Sequence, residues 1–311
     1  GSSPMNYGKV VCFLLGNVFI GFLLSCNGSV PISHEHPVKG PLSEKGNQVI
    51  LATTDLSIGE NRFAFLVLSE RGFINAEYAE VIFYPPSNKS NFIKNTAPLI
   101  HWGNLNRGSF ITHVNFPYEG EWNLVVNLID LGTNASMKAS FPVYKNTVAP
   151  SIGDTAPQSK NKTISNVRNL RELSTGDLIE PELYRYSIDE SLKSGKPTVL
   201  TFASPAFCQD ETCGPQVKVL DKLHESKSDS ANFIHVEIYD NPVEVQNGSQ
   251  EGIYSEPFKK WNLPSSEWTF IINCSGEISE RYQGFVSIEE LGEALMASLL
   301  EHQSNPSCSP S

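Results

Sequence analysis

Two cysteines stand five positions apart in the stretch LTFASPAFCQDETCGPQ, residues 200–216. Cys208 follows an apolar run, and Cys213 directly precedes a Gly-Pro pair. Cysteine sulfurs support disulfide exchange, binding of a thiophilic metal ion or a permanent cross-link. The spacing alone leaves these three chemistries open.

Whether the two sulfurs can meet depends on where the following helix begins. A disulfide requires Cα atoms about 4.4–6.8 Å apart, whereas residues i and i+5 on one helix are about 8–9 Å apart. Pro215 suits the first position of a helix, and a helix starting there would leave residues 209–212 free to loop. We therefore expect Cys208 and Cys213 to lie within disulfide reach. Acidic residues in that loop disfavour a thiolate, whereas the helix N-terminus favours one.

The elements that must position these cysteines follow a mixed pattern. The run PTVLTFA is typical of a strand buried on both faces, and the next segment has apolar residues at helical spacing. Ser287 and Glu290 occupy capping-box positions before the last helix. The predicted elements are a strand at 197–203, a helix at 215–227, a strand at 232–240, a short helix at 255–263, a hairpin of strands at 268–273 and 277–284, and a helix at 287–302.

This β-α-β-α-β-β-α order, with cysteines after the first strand, resembles the thioredoxin fold. The resemblance covers residues 149–303 and is carried by GDTAP (153–157), KPTVLTFASPAFC (196–208), CGPQ (213–216) and WTFIINCSGEISERYQGFVSIEELGEAL (268–295). It implies an α/β domain related to thioredoxins and peroxiredoxins. It also implies that Cys208 is the attacking thiolate, that Cys213 resolves the mixed disulfide, and that no cofactor is needed besides this redox-active pair.

The chain departs from the family pattern in two places. The family has Cys-x-x-Cys where this chain has Cys-x4-Cys, and it has a cis-proline eight or nine residues before the hairpin glycine. Counting back from Gly276 reaches Glu267 or Trp268, and Pro264 lies a few residues earlier. Pro264, Glu267 and Trp268 are therefore our candidates for the loop that docks a substrate.

The first half of the chain differs in pattern. Residues 47–148 contain short strand-like runs separated by turn residues, which predicts an all-β sandwich similar to the immunoglobulin-like domains of bacterial surface lipoproteins. Residues 1–26 resemble a lipoprotein signal peptide ending in LLSC, which makes Cys26 the predicted lipidation site. Residues 27–46 are expected to be a flexible tether, and residues 304–311 a disordered tail.

Length, net charge and cysteine content limit the classes of protein and partner that fit this chain. The 311-residue chain is long enough for about two domains. Its net charge of −11 disfavours binding to nucleic acid or to an anionic membrane surface. Six scattered cysteines do not form the framework of a small disulfide-rich protein.

These observations favour an extracytoplasmic, membrane-anchored thiol–disulfide oxidoreductase that acts on protein thiols and disulfides. The alternative is a redox-inactive binding lipoprotein in which the pair is a structural disulfide. A copper-handling protein is less favoured, because His224 and His235 fall on a helix and a strand rather than in the docking loop. We expect no metal at the site, a core role for His235, and free thiols at Cys274 and Cys308.

Overall fold

The computed structural model describes residues 38–86, 91–103, 105–129, 136–208, 212–304 and 308. The signal peptide with Cys26, most of the tether, the acidic residues between the paired cysteines and most of the tail lie outside the described residues. Residues Ser33–Ser311 form one compact unit. Within the described part, no helix is both long and apolar enough to cross a membrane.

The first half is an antiparallel β structure, as the turn-rich pattern predicts. Its strands are β1 (Gln48–Leu51), β2 (Gly59–Ser69), β3 (Gly72–Phe73), β4 (Tyr78–Tyr84), β5 (Ile93–His101), β6 (Gly108–Phe116), β7 (Gly120–Leu128) and β8 (Met137–Val143). They form one sheet in the order β1-β2-β6-β5-β4-β7-β8, with β3 on β2. Strand β5 pairs with β4 along most of its length and with β6 at its end, so it joins two halves of the sheet.

The two halves enclose an apolar core because their side chains alternate between faces. Phe63 on β2 lies 5.0 Å from Phe83 on β4 and 5.2 Å from Phe141 on β8, measured between ring centroids. The sheet is nearly closed. Gly40 lies against β8, where a Cβ atom would be only 2.1 Å from the Lys138 carbonyl oxygen, so only glycine fits there. The immunoglobulin-like classification remains a prediction.

The described residues of the second half form a four-stranded sheet, five α-helices and two short 3-10 helices at Leu170–Glu172 and Pro181–Tyr184. The strands are β9 (Thr198–Ala203), β10 (Asn232–Glu237), β11 (Trp268–Ile272) and β12 (Ile278–Gln283), and the helices are α1 (Ile188–Ser191), α2 (Cys213–Lys227), α3 (Pro242–Gln246), α4 (Glu256–Lys260) and α5 (Ile288–Ser304). The sheet order is β10-β9-β11-β12. Strand β10 runs parallel to β9, and β11 runs antiparallel to both β9 and β12. This is the arrangement that the thioredoxin resemblance predicts.

Strand β9 occupies the centre of this sheet, and all six of its residues are buried. Val199 on one face belongs to an apolar cluster that includes Leu220 of α2 and Leu291 of α5. Leu200 on the other face belongs to a second cluster. Layers on both faces explain why this strand is a continuous apolar run rather than an alternating one.

Helix boundaries differ from the predicted ones in detail. Helix α2 begins at Cys213 rather than near Pro215, which is possible because the first helical N–H groups have no intrahelical partner and a proline loses nothing there. The Ser287 hydroxyl accepts from the Glu290 amide at 3.1 Å, as a cap should. The Glu290 carboxylate instead pairs with Arg62. The short helix α3 was not predicted.

The outer face of the first sheet packs on the thioredoxin-like half. Ile50, Leu66 and Trp102 belong to the same apolar cluster as Phe285 and Val286. The predicted division at residue 148 therefore lies between two regions that share buried apolar contacts.

Candidate active site at the Cys208–Cys213 disulfide

Cys208 and Cys213 form a disulfide with a Cα separation of 5.8 Å. The predicted reach is therefore confirmed. Strand β9 ends at Ala203, and a turn carries the chain to Cys208. Cys213 is the first residue of α2, so the bond links the end of a central strand to the start of a helix.

The two sulfurs occupy different environments. Cys213 is fully buried, whereas Cys208 is half-buried. The backbone amide of Cys213 donates to the Cys208 Sγ at 3.3 Å. After reduction, this amide and the positive end of the α2 dipole favour a thiolate at Cys208. The less buried of the two cysteines is thus also the one whose thiolate the helix N-terminus stabilises.

A carboxylate stands opposite the disulfide. Glu267 is 2% exposed, and one of its oxygens and the two sulfurs lie within 4.8 Å of one another. The Thr212 hydroxyl donates to Glu267 Oε2 and lies 4.0 Å from the Cys208 Sγ. Thr212 therefore orients the carboxylate beside the sulfur pair.

The three candidates for the docking loop have different positions. Glu267 is the one that the structure places at the sulfurs. Trp268 begins β11 and is buried, with the Arg281 guanidinium 4.9 Å above its ring. Pro264 lies in the turn three residues before Glu267, and the described residues contain no cis peptide bond.

A buried hydrogen-bond chain supports the turn that carries Cys208. The Thr175 amide and hydroxyl donate to the Glu237 carboxylate at 2.8 and 2.9 Å. The Ala206 amide in turn donates to the Thr175 hydroxyl at 3.2 Å. Burial raises the pKa of Glu237 from 4.5 to about 7, although the Thr175 bonds oppose the change.

Sequence reasoning missed Glu237. A signal was available, because Glu237 lies between Val236 and Ile238 in a strand-like run, and its carboxylate must find partners if the strand is buried. Its main partner, Thr175, is 62 residues away in sequence, so the pattern could not identify it.

His235 is a core residue, as predicted. It is fully buried on β10, with the Tyr184 hydroxyl 2.5 Å from Nδ1 and the Ala203 carbonyl 3.1 Å from Nε2. Burial lowers the pKa of His235 from 6.5 to about 4, so the ring is neutral at physiological pH.

The expectation of free thiols at Cys274 and Cys308 is wrong. These residues form a second disulfide with a Cα separation of 5.4 Å. Cys274 follows β11, and Cys308 follows α5. The bond ties the chain after the last helix to the β11–β12 turn. Local spacing could not reveal it because the partners are 34 residues apart.

No protein-family model and no curated protein matches the chain. Among solved structures, it is similar to a putative thiol:disulfide interchange protein DsbE from Chlorobium tepidum, with 13% identity and a TM-score of 0.34 over 48% of this chain and 98% of that one. A thioredoxin-family thiol:disulfide interchange protein from Chlorobium tepidum TLS gives 16% identity and a TM-score of 0.33 over 49% and 99%. A thioredoxin-like protein in its oxidized form has 11% identity and a TM-score of 0.30, over 50% of this chain and 97% of that one. The thioredoxin-like arrangement of the second half is established by its own strand order.

Proposed function

We propose that this chain is a thiol–disulfide oxidoreductase in which Cys208 and Cys213 cycle between disulfide and dithiol. The observation that carries the proposal is the difference between the two sulfurs. The half-buried Cys208 Sγ accepts from an amide at the start of α2, and the buried Cys213 is already bonded to it. Exchange needs one reachable nucleophile and one nearby resolving sulfur.

The reaction proceeds in two exchange steps. The Cys208 thiolate attacks one sulfur of a partner disulfide, and the other partner sulfur leaves as a thiolate that takes a proton. The Cys213 thiolate then attacks the Cys208 sulfur and releases the second partner thiol. The partner gains two electrons, and the Cys208–Cys213 disulfide forms again. The reverse sequence oxidises a partner dithiol.

An oxidising compartment fits this chemistry. All four cysteines in the described part of the chain are in disulfides, and disulfides persist mainly outside the cytosol. Together with the lipobox-like LLSC stretch, this supports a lipid-anchored, extracytoplasmic protein whose partners are protein thiols and disulfides.

Cys26→Ser should move the protein from the membrane fraction to the soluble fraction or leave it unprocessed. Wild-type protein that is wholly soluble, with an unmodified Cys26, would contradict the anchor.

A second candidate is a binding protein with a permanent disulfide. Glu267 favours it, because a carboxylate beside two sulfurs disfavours their ionisation. Glu267, one of the three candidates for the docking loop, also differs from the proline of the thioredoxin pattern. A disulfide that never opens would tolerate this carboxylate at no cost to function.

Trapping with oxidised glutathione separates the two candidates. In reduced Cys213→Ser, we expect Cys208 to form a stable mixed disulfide with glutathione, located by peptide mass spectrometry because the chain has four other cysteines. The matched variant Cys208→Ser should trap little glutathione at Cys213, because Cys213 is buried. Reduced wild type should return to its internal disulfide without retaining glutathione. If only Cys208→Ser traps glutathione, the roles are reversed. If neither variant does, the disulfide is structural.

A further inference from the structure

We propose that the reduced site binds Zn²⁺ through the sulfurs of Cys208 and Cys213 and one carboxylate oxygen of Glu267. This inference rests on the proposed function in one respect, that the disulfide can be opened. It assigns the site a second state, in which a metal ion takes the place of the sulfur–sulfur bond.

The spacing of the ligand atoms supports a single ion between them. The two sulfurs and a Glu267 oxygen lie within 4.8 Å of one another. Zinc binds sulfur at about 2.3 Å and carboxylate oxygen at about 2.0–2.2 Å, so tetrahedral ligands are separated by about 3.4–3.8 Å. The Glu267 oxygen lies within 4.8 Å of each sulfur, so a small shift brings it to the ligand–ligand distance of a zinc site. The two sulfurs can separate to that distance once the bond between them is reduced.

Charge supports a cation at this position. Reduction converts the neutral disulfide into two ionisable sulfurs that face a buried carboxylate. Like charges held together away from water are costly unless protons or a cation neutralise them. Zn²⁺ neutralises two of the three negative charges on the two thiolates and the carboxylate. The Cys213 amide, which donates to the Cys208 Sγ, stabilises the remaining charge.

The ligand types favour zinc among the common metal ions. Thiolates select Zn²⁺ or Cu⁺ over Mg²⁺ and Ca²⁺, and the carboxylate favours the harder of these two thiophilic ions. Thr212 supplies the outer partner that usually orients a ligating carboxylate, because its hydroxyl donates to Glu267 Oε2. Three protein ligands leave a fourth coordination position for water or another ligand.

The metal and the disulfide exclude each other, since both use the same two sulfurs. We therefore expect Zn²⁺ to protect the reduced pair from oxidised glutathione. The oxidised protein should have no affinity for zinc at this position.

The test is a zinc titration of the full chain against a chromophoric chelator, without oxygen, after reduction with a phosphine. All proteins carry Ser at the four other cysteines, so that Cys208 and Cys213 are the only cysteines left; these substitutions are Cys12→Ser, Cys26→Ser, Cys274→Ser and Cys308→Ser. We expect one Zn²⁺ per reduced chain and none per oxidised chain. Glu267→Gln should weaken binding at least tenfold, and Cys208→Ser more than a hundredfold. The matched control Glu256→Gln, on the exposed surface of α4, should bind like its parent.

Cobalt gives a second measurement that does not depend on affinity. Co²⁺ in the reduced site should show sulfur-to-metal charge-transfer bands and the intense visible bands of a tetrahedral ion. Glu267→Gln should shift the visible bands, because an oxygen ligand is lost. Zinc affinity and cobalt bands that are both unchanged in Glu267→Gln would overturn the three-ligand site. Absence of zinc binding by the fully reduced protein would overturn the inference and leave the oxidoreductase proposal intact.

Discussion

The sulfurs of Cys208 and Cys213 are chemically identical and differ only in what surrounds them. Cys208 is half-buried and accepts from a backbone amide, whereas Cys213 is wholly buried at the start of α2. Access and stabilisation of the thiolate therefore favour the same sulfur. The sulfur of the buried Cys213 is bonded to Cys208.

This difference predicts the order of alkylation. After reduction, iodoacetamide should modify Cys208 at least tenfold faster than Cys213, because a nucleophile must be both ionised and reachable. Peptide mass spectrometry after short exposures measures the two rates. Equal rates, or faster modification of Cys213, would show that burial does not protect the Cys213 sulfur.

At this scale the sequence identifies the cysteines but not their neighbours. The reach of Cys208 and Cys213 follows from helix geometry and loop length alone. The docking position could be narrowed only to Pro264, Glu267 and Trp268, because counting from a turn does not determine which side chain faces the sulfurs. The Cys274–Cys308 bond joins residues 34 positions apart, and no local pattern records such a pairing.

At the scale of elements, β10 carries two buried titratable groups with opposite effects on stability. The pKa of Glu237 is raised to about 7, so its contribution to stability is full below about pH 4.5 and is lost as pH rises through 7. The pKa of His235 is lowered to about 4, so its contribution is full above about pH 6.5 and is lost as pH falls towards 4. Between these limits the two effects oppose each other.

Removing the Glu237 carboxylate should make the opposite pH dependence from His235 measurable. In Glu237→Gln, the free energy of unfolding should rise with pH between 4.5 and 7 relative to wild type, by up to about 3 kcal/mol. Urea denaturation of both proteins at several pH values measures the difference, and carboxylates common to both cancel. The exposed-site variant Glu256→Gln should follow wild type. Parallel pH profiles for Glu237→Gln and wild type would contradict a raised pKa for Glu237.

The sequence predicts most elements of the thioredoxin-like half, because α2 and α5 have apolar residues at helical spacing and β9 is a continuous apolar run. It does not predict α3, a single short turn without an apolar stripe. It also places the start of α2 two residues late, because Pro215 is accepted anywhere in the first helical turn.

At the scale of the whole molecule, two partly buried ion pairs join the β region to the thioredoxin-like half. Arg62 of β2 binds Glu290 of α5 through two bonds of 2.7 and 2.8 Å. Arg281 of β12 binds Asp55 at 2.6 Å, and the Asp55 side chain is 1% exposed. The contact between the two halves also has an apolar part, to which β2 contributes. Five consecutive residues of its run FAFLVLS are buried, and such a continuous apolar run indicates a strand that is covered on both faces.

Breaking the Arg281–Asp55 pair should destabilise the whole molecule. Arg281→Met removes the cation from the buried Asp55 carboxylate, which keeps its hydrogen bonds from the Val148 and Ala149 amides. The uncompensated buried charge should lower the free energy of unfolding by roughly 3 kcal/mol or more. Urea denaturation measures the loss. The control Lys260→Met removes an exposed pair with Glu256 and should change stability by less than about 0.5 kcal/mol. A similarly small loss in Arg281→Met would mean that the two regions do not depend on this contact.

The reduction potential of the Cys208–Cys213 bond tests the account most directly. The wild-type chain is equilibrated in glutathione and dithiothreitol buffers, and each cysteine is assigned as thiol or disulfide by differential alkylation, with Cys274–Cys308 as an internal comparison. A cycling pair predicts reversible two-electron reduction at about −120 to −270 mV, the range of known exchange proteins. A bond that stays oxidised until below about −300 mV, or that reduces irreversibly, would contradict the oxidoreductase and leave a structural disulfide.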